Sequence, residues 1–283
     1  MADGEAGDGE DAPSVNMSED DRRAVGERSS GSAKVVHEVV RLQGDEELAR
    51  PIRSLLFSGF AAGVAICSSL LAEAFLSMRL PDTPWRSLIV SLGYTVGFVI
   101  VILGKLQLFT ETTVTAVLPL VTHPTARNLG RLLRLWSAVF IANMIGTFVV
   151  AVLIIQNVLV DPEGLNACLA ISRKILEHNF TTTLFFATPA GFLIASIAWI
   201  LPNARGSEFW IICLVTYFIA IGGFSHVVAG SAEAWLLVLA GETSLWHAVS
   251  SLIFPALIGN VIGGTGLFAV VAHGQVRDEI KPQ

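Results

Sequence analysis

The stretch Gln107-Leu108-Phe109-Thr110-Glu111-Thr112 puts polar side chains inside an apolar segment, and Gly222-Gly223-Phe224-Ser225-His226 does the same in the second half of the chain. Each interruption is followed by an Asn-x-x-Gly step at nearly the same separation. The two steps are Asn143-Met144-Ile145-Gly146 and Asn260-Val261-Ile262-Gly263. Matched markers in the same order predict that the chain consists of two related halves.

Around these markers the sequence predicts six membrane crossings, because a spanning helix needs about 20 predominantly apolar residues. The candidate segments are 52–78, 85–105 with a continuation to 121, 135–160, 180–201, 209–240 and 248–273. Gly59-Phe60 in the first segment and Gly191-Phe192 in the fourth form a further matched pair. Three crossings per half insert the halves in opposite orientation, and their interrupted helices then meet near the middle of the membrane. The predicted fold is therefore an all-α membrane protein with two inverted three-helix repeats and interrupted second and fifth helices.

Composition agrees with a membrane protein that has a polar N-terminal segment. Hydrophobic residues make up 53% of the 283 residues and charged residues 15%, against about 25% charged in soluble domains. The acidic segment 1–32 is predicted to be disordered and argues against nucleic-acid binding. An amphipathic cytoplasmic helix is predicted over 33–51, the channel domain over 52–273 and a cytoplasmic tail over 274–283. The excess of Lys and Arg on one side predicts that both termini face the cytoplasm.

Three motifs resemble the formate/nitrite transporter family over about residues 52–273. They are Leu108-Phe109-Thr110, Phe224-Ser225-His226-Val227-Val228-Ala229, and Pro255-Ala256-Leu257-Ile258-Gly259-Asn260-Val261-Ile262-Gly263-Gly264. Within that family, Gly44-Asp45-Glu46-Glu47 and the residues after Ser225 are similar to the YfdC-like branch. The resemblance implies an aquaporin-like fold, a homopentamer in the bacterial inner membrane, and one pore per protomer for small monovalent anions.

By the same resemblance, His226 is the central pore histidine and Thr110 supplies the hydroxyl of the second-span loop. Phe109 and Phe224 flank the breaks, next to Leu108 and Ser225. Gly230 stands where characterised formate and nitrite transporters commonly have Asn. Lys174 lies near the position of a lysine that is usual in the family. Lys105 and Glu111 are unfamiliar in the formate channels, and they are candidate pathway charges because charged side chains at membrane depth are costly and commonly mark an ion pathway.

Physical reasoning assigns roles to the same residues. Half-helices that begin near Thr112 and Val228 would aim positive ends and free N–H groups at an anion. His226 could be protonated near neutral pH, so transport is passive or proton-coupled. Structural support of the breaks is predicted for Asn143, Gly146, Asn260 and Gly263. Glu73 and Glu233 are predicted to form hydrogen bonds between helices or subunits.

Two other functions stay open. One is a neutral-solute channel of the aquaporin or glycerol type, although the Asn-Pro-Ala repeat of those channels is absent from this sequence. The other, more remote, is an intramembrane serine hydrolase based on Gly223-Phe224-Ser225-His226, which would need a histidine base from another helix. No nucleotide-binding motif or metal-ligand cluster occurs in the sequence. We therefore predict neither an enzyme nor a cofactor.

Overall fold

The computed structural model describes residues 32–280, and their side chains through residue 277. The predicted disordered segment 1–32 lies outside the described residues except for Ser32. The described part consists of helices without strands. In chain order the helices are α1 (Ala33–Ala49), α2 (Ile52–Arg79, with a turn at Cys67), α3 (Arg86–Leu103), α4 (Phe109–Thr115), α5 (Leu118–Thr122), α6 (Ala126–Ile155), α7 (Pro162–Ser172), α8 (Phe180–Ile200), α9 (Glu208–Ile221), α10 (Val227–Leu239) and α11 (Leu245–Arg277).

Within residues 32–280, five helices are long and apolar enough to cross a membrane, namely α2, α3, α6, α8 and α11. Two shorter apolar helices, α9 and α10, follow one another where the sequence predicts the interrupted fifth crossing. The other break, in the second predicted crossing, separates α3 from α4. Both breaks that the sequence predicts are therefore gaps between helices in the fold.

Helix boundaries differ from the prediction at two crossings. Helix α6 begins at Ala126 instead of residue 135, because the Thr125 side chain caps it by accepting the Asn128 N–H at 3.2 Å. It ends at Ile155 instead of residue 160, and Asn157 beyond it has a φ of 55°. Helix α11 starts three residues earlier than predicted, and the last helical segment runs to Ile280 through the predicted tail.

Glycines permit two close helix crossings. At Gly63 in α2, a Cβ atom would overlap the Asn143 backbone of α6. At Gly191 in α8, a Cβ atom would overlap the Asn260 backbone of α11. Each pair of helices thus approaches to backbone contact at the asparagine that the sequence marks, and that contact puts each amide next to a break.

Candidate pore site

The two breaks share one backbone conformation. After α3, the Leu106 N–H donates to the Val101 carbonyl at 3.0 Å, and after α9 the Phe224 N–H donates to the Ile219 carbonyl at 3.1 Å. The residue before each donor has a positive φ, 53° at Lys105 and 63° at Gly223. This is the left-handed C-terminal turn that normally requires glycine. Lys105 adopts it in spite of its side chain.

Asn143 holds the first break in place. Its Oδ1 accepts the Phe109 N–H at 2.9 Å. Its Nδ2 donates to the carbonyl oxygens of Gln107 at 3.0 Å and of Gly59 at 2.7 Å. One buried amide therefore connects the break, the start of α4 and the neighbouring α2.

Asn260 repeats the arrangement at the second break. Its Oδ1 accepts the Val227 N–H at 2.8 Å, and its Nδ2 donates to the carbonyls of Ser225 at 3.0 Å and Ala187 at 2.8 Å. Both asparagines are fully buried. The two halves thus use the same three hydrogen bonds to fix equivalent backbone positions.

These bonds correct the register of the predicted repeat. Since Phe109 and Val227 occupy the same position, the equivalent of His226 is Leu108, and Thr110 lies two residues further along. The matching glycine of Gly191 is likewise Gly63, one helical turn after Gly59. The sequence comparison aligned polar side chains, whereas the structure aligns backbone positions.

The half-helices begin at Phe109 and Val227, and the first of them starts three residues earlier than predicted. The N–H groups of Phe109 and Val227 bind the asparagine amides, and the Ala229 N–H donates to His226 Nδ1 at 3.2 Å. These three N–H groups are therefore not free to bind a solute directly.

His226 and Thr110 are in contact although they come from different halves. Thr110 Oγ1 lies 2.7 Å from His226 Nε2, and both side chains are buried. Because the Ala229 N–H donates to Nδ1, a neutral imidazole must carry its proton on Nε2 and donate it to Thr110. The rings of Phe98 and His226 pack edge to face with their centroids 4.9 Å apart, and this contact restricts the orientation of the imidazole.

A cavity of about 470 Å³ extends to His226, whereas Thr110 is not part of its lining. Among the predicted site residues, its lining includes His226, Phe224, Ser225 and Lys174. The sequence therefore identified part of one connected surface, although these four residues come from two separate segments of the chain.

The other predicted residues lie elsewhere. Leu108 is fully buried, and Phe109 packs against Trp136 and Phe140 with ring centroids 5.8 and 5.2 Å apart. These two residues are packing residues in this structure. Gly146 of α6 meets the Phe60 and Gly63 backbone, and Gly263 of α11 meets the Thr188 and Phe192 backbone, which are the close crossings that a supporting role requires.

Lys105 and Glu111 do not line the cavity and lie near α1 instead. Lys105 is exposed, and its charge acts on Glu111 and on Glu47 of α1. The Thr115 hydroxyl donates to Glu47 Oε2 at 2.7 Å, and burial raises the pKa of Glu47 to about 7. Docking of this helix against the bundle is one of the arrangements that its amphipathic pattern allows, but the pattern does not single out Glu47 and Thr115 as the contact residues. The glycine in Gly44-Asp45-Glu46-Glu47 was the available signal, because a Cβ at Gly44 would overlap the Thr115 backbone.

Glu73 and Glu233 also line the cavity, together with Tyr94. Neither carboxyl forms a hydrogen bond or an ion pair within 4 Å with another described residue, so the expected bonds between helices of this protomer are absent from this part of the chain. Among residues 32–280, no group of three His, Cys, Asp or Glu side chains could hold a metal ion.

Ser225 lacks the partner that a serine hydrolase needs. The two ring nitrogens of the adjacent His226 bond to Thr110 and to the Ala229 N–H. The Ser225 backbone is held by Phe186 and Asn260. The site is therefore an arrangement of paired helix breaks beside a cavity, as in helical membrane transport proteins.

Comparison with known proteins identifies the family. The family described as formate/nitrite transporter matches residues 34–274, and the chain belongs to it. Inner membrane protein YfdC of Escherichia coli (strain K12) is 37% identical over 254 residues, which are 90% of this chain and 82% of that protein. Formate channel BtFdhC of Bacillus thuringiensis is 26% identical over 238 residues, covering 82% and 90% of the two chains.

A solved structure described as a pentameric formate channel with formate bound superposes with a TM-score of 0.67 at 19% identity, covering 81% of this chain and 97% of that one. This likeness shows the fold. The resemblance to the family and to its YfdC-like branch is confirmed, and so is the all-helical membrane fold. The chain is a transport protein and not an enzyme.

Proposed function

We propose that the chain conducts small monovalent anions of the formate or nitrite type, passively or together with protons, along a path that passes His226. The observation that carries this proposal is the 2.7 Å contact between Thr110 and His226, which joins the two helix breaks next to the cavity that His226 lines. Names of relatives agree with the substrate class, since a family member from Bacillus thuringiensis is a formate channel.

The imidazole supplies the donor that an anion needs. With Nδ1 occupied by the Ala229 N–H, the Nε2–H group is aimed at Thr110 and is the one available to a solute. A carboxylate oxygen that displaces the Thr110 hydroxyl would accept this hydrogen bond. A buried anion without such a partner would cost several kcal/mol, so the contact both closes the path and provides the binding group when it opens.

A proton could accompany the anion through the same group. Protonation of Nδ1 requires the Ala229 N–H to lose its acceptor. A doubly protonated ring would therefore weaken the cap of α10 while it attracts the anion. This gives proton coupling a structural route through the start of α10.

We further propose that five copies assemble, with both termini on the cytoplasmic side of the bacterial inner membrane and the halves inserted in opposite orientation. In that arrangement the cavity opens to the outer side, because α7 and Lys174 lie in the loop between the third and fourth crossings. The relative YfdC is described as an inner membrane protein and the solved neighbour as pentameric, which supports the membrane and the assembly proposed here.

The test is uptake of formate and nitrite into proteoliposomes at pH 5.5 and 7.5. His226→Phe removes the donor and Thr110→Val removes its partner, and we expect both to reduce uptake at least tenfold. Thr216→Val is the matched control, since its buried hydroxyl bonds only to Ile212 of its own helix. Uptake that is undiminished and insensitive to pH in His226→Phe would remove this residue from the mechanism. Glycerol flux without anion flux would establish the neutral-solute alternative.

A further inference from the structure

The cavity beside His226 carries more negative than positive charge. Glu73, Glu177 and Glu233 line it, and Lys174 is the one Lys or Arg side chain that does so among the described residues. Carboxylates oppose the entry of an anion and favour a cation. The lining therefore has a charge that the proposed anion conduction does not use.

Glu73 is the most enclosed of these carboxyls, with only 9% of its surface exposed, and it has no hydrogen-bond partner among residues 32–277. The ammonium of Lys174 acts electrostatically on both Glu73 and Glu233, but it forms no ion pair within 4 Å with either of these described residues. When Glu73 and Glu233 are both ionised, this one distant ammonium leaves them short of one positive charge. A monovalent cation would supply that charge.

A second observation points to a ligand in the same place. The Thr183 hydroxyl lines the cavity, its residue is 3% exposed, and it has no hydrogen-bond partner. Buried polar groups are ordinarily paired. Tyr94 adds another hydroxyl to the lining and interacts electrostatically with both Glu233 and Glu73. The cavity thus offers unpaired hydroxyls beside unpaired carboxyls.

The aromatic side chains of the lining decide which cation fits. Tyr94, Phe186 and Phe224 all face the cavity, the last two with ring centroids 6.3 Å apart. Aromatic faces attract ammonium groups, whereas a hard divalent ion requires six or more oxygen ligands. A small alkylammonium ion matches carboxylates on one side and rings on the other.

We propose that Glu73 and Glu233, together with Tyr94 and Thr183, form a binding site for a small monovalent ammonium ion such as methylammonium. The site is separate from the Thr110–His226 contact and does not depend on anion conduction. The bound cation supplies the positive charge that the ionised Glu73 and Glu233 lack, and it reduces the repulsion of an anion that follows.

The experiment titrates methylammonium chloride into the purified full chain and measures binding by calorimetry. Glu73→Gln and Glu233→Gln each remove one charge-assisted contact, and we expect about tenfold weaker binding. Lys174→Met removes the competing ammonium and should strengthen binding. Glu163→Gln is the control, because Glu163 lies exposed in the first turn of α7 and outside the cavity lining, and its binding should equal that of the wild type.

Absence of methylammonium binding to the wild type, or binding unchanged in both Glu73→Gln and Glu233→Gln, would overturn the proposal. Displacement by an equal concentration of potassium would overturn the assignment to ammonium ions. If a glutamate variant does not fold, Thr183→Val tests the same cavity without a change of charge and should weaken binding. In proteoliposomes, Glu73→Gln should raise formate uptake, and this result is distinguishable from the loss expected in His226→Phe.

Discussion

Replacement of Asn143 by alanine tests whether one amide holds the first break. The change leaves the Phe109 N–H and the carbonyls of Gln107 and Gly59 without their partner. A buried backbone group without a partner costs about 1–3 kcal/mol, so three groups at the lower end cost about 3 kcal/mol. For a chain of this size that corresponds to a decrease in melting temperature of roughly 6–12 °C.

The assay is thermal unfolding of the purified chain in detergent, followed by circular dichroism. Asn260→Ala removes the equivalent three bonds and should lower the melting temperature by a similar amount. Asn128→Ala serves as the control, because its amide makes a partly exposed bond to the His123 carbonyl. A melting temperature of Asn143→Ala within 2 °C of the wild type would refute the reasoning. Strongly unequal effects of the two asparagine variants would refute the equivalence of the halves.

Substitutions at Gly63, Gly191 and Glu47 should change the melting temperature in a direction that the structure predicts, and each has a control variant. Gly63→Ala and Gly191→Ala should each lower the melting temperature by several degrees, because the added Cβ overlaps the backbone of a neighbouring helix. At Gly130 an added Cβ meets nothing within 4 Å, so the control Gly130→Ala should stabilise its helix by about 1 kcal/mol. Equal effects of the three variants in thermal unfolding would contradict the close crossings. Burial raises the pKa of Glu47 from its ordinary value of 4.5 to about 7, so its ionisation opposes folding. The stability that protonated Glu47 contributes is complete below pH 4.5 and is lost as pH rises through 7. Between pH 4.5 and 8 the melting temperature should therefore fall less in Glu47→Gln than in the wild type. The control Glu46→Gln should behave as the wild type does.

The sequence could predict the two breaks and the asparagines, because both depend on local signals. A polar cluster inside an apolar segment is improbable in a plain spanning helix, and Asn-x-x-Gly occurs at matched separations. Those signals locate the fifth-span break at residues 222–226, as the structure has it. The resemblance of the three motifs to the formate/nitrite transporter family also predicted the fold of that family, and the comparisons confirm this.

The register within the first break could not be predicted in this way. The alignment of polar residues placed Thr110 opposite His226, but the backbone hydrogen bonds of Asn143 and Asn260 make Leu108 its equivalent. Side chains at equivalent positions of the two halves are under different chemical demands, so polarity alone cannot align them. The backbone bonds are shared because each break leaves the same N–H and carbonyl groups without helical partners.

The charge of the cavity could not be predicted from the sequence either. Glu73 lies on α2 and Glu233 on α10, and no spacing along the chain relates them. Hydropathy shows that each interrupts an apolar face, but it cannot tell a bond between helices from a position on a cavity. Only the packing of α2, α3 and α10 brings the two carboxyls and Tyr94 to one surface.

The difference between the halves is where the chemistry lies. Leu108 and His226 directly precede their half-helices and have nearly the same backbone angles, φ −98° and ψ 126° against φ −102° and ψ 121°. At this position the leucine fills the core, while the histidine ring caps α10 through Ala229 and meets Thr110 at the cavity. The asymmetric pair leaves a single imidazole donor between the two breaks, and this is the group that the proposed anion pathway uses.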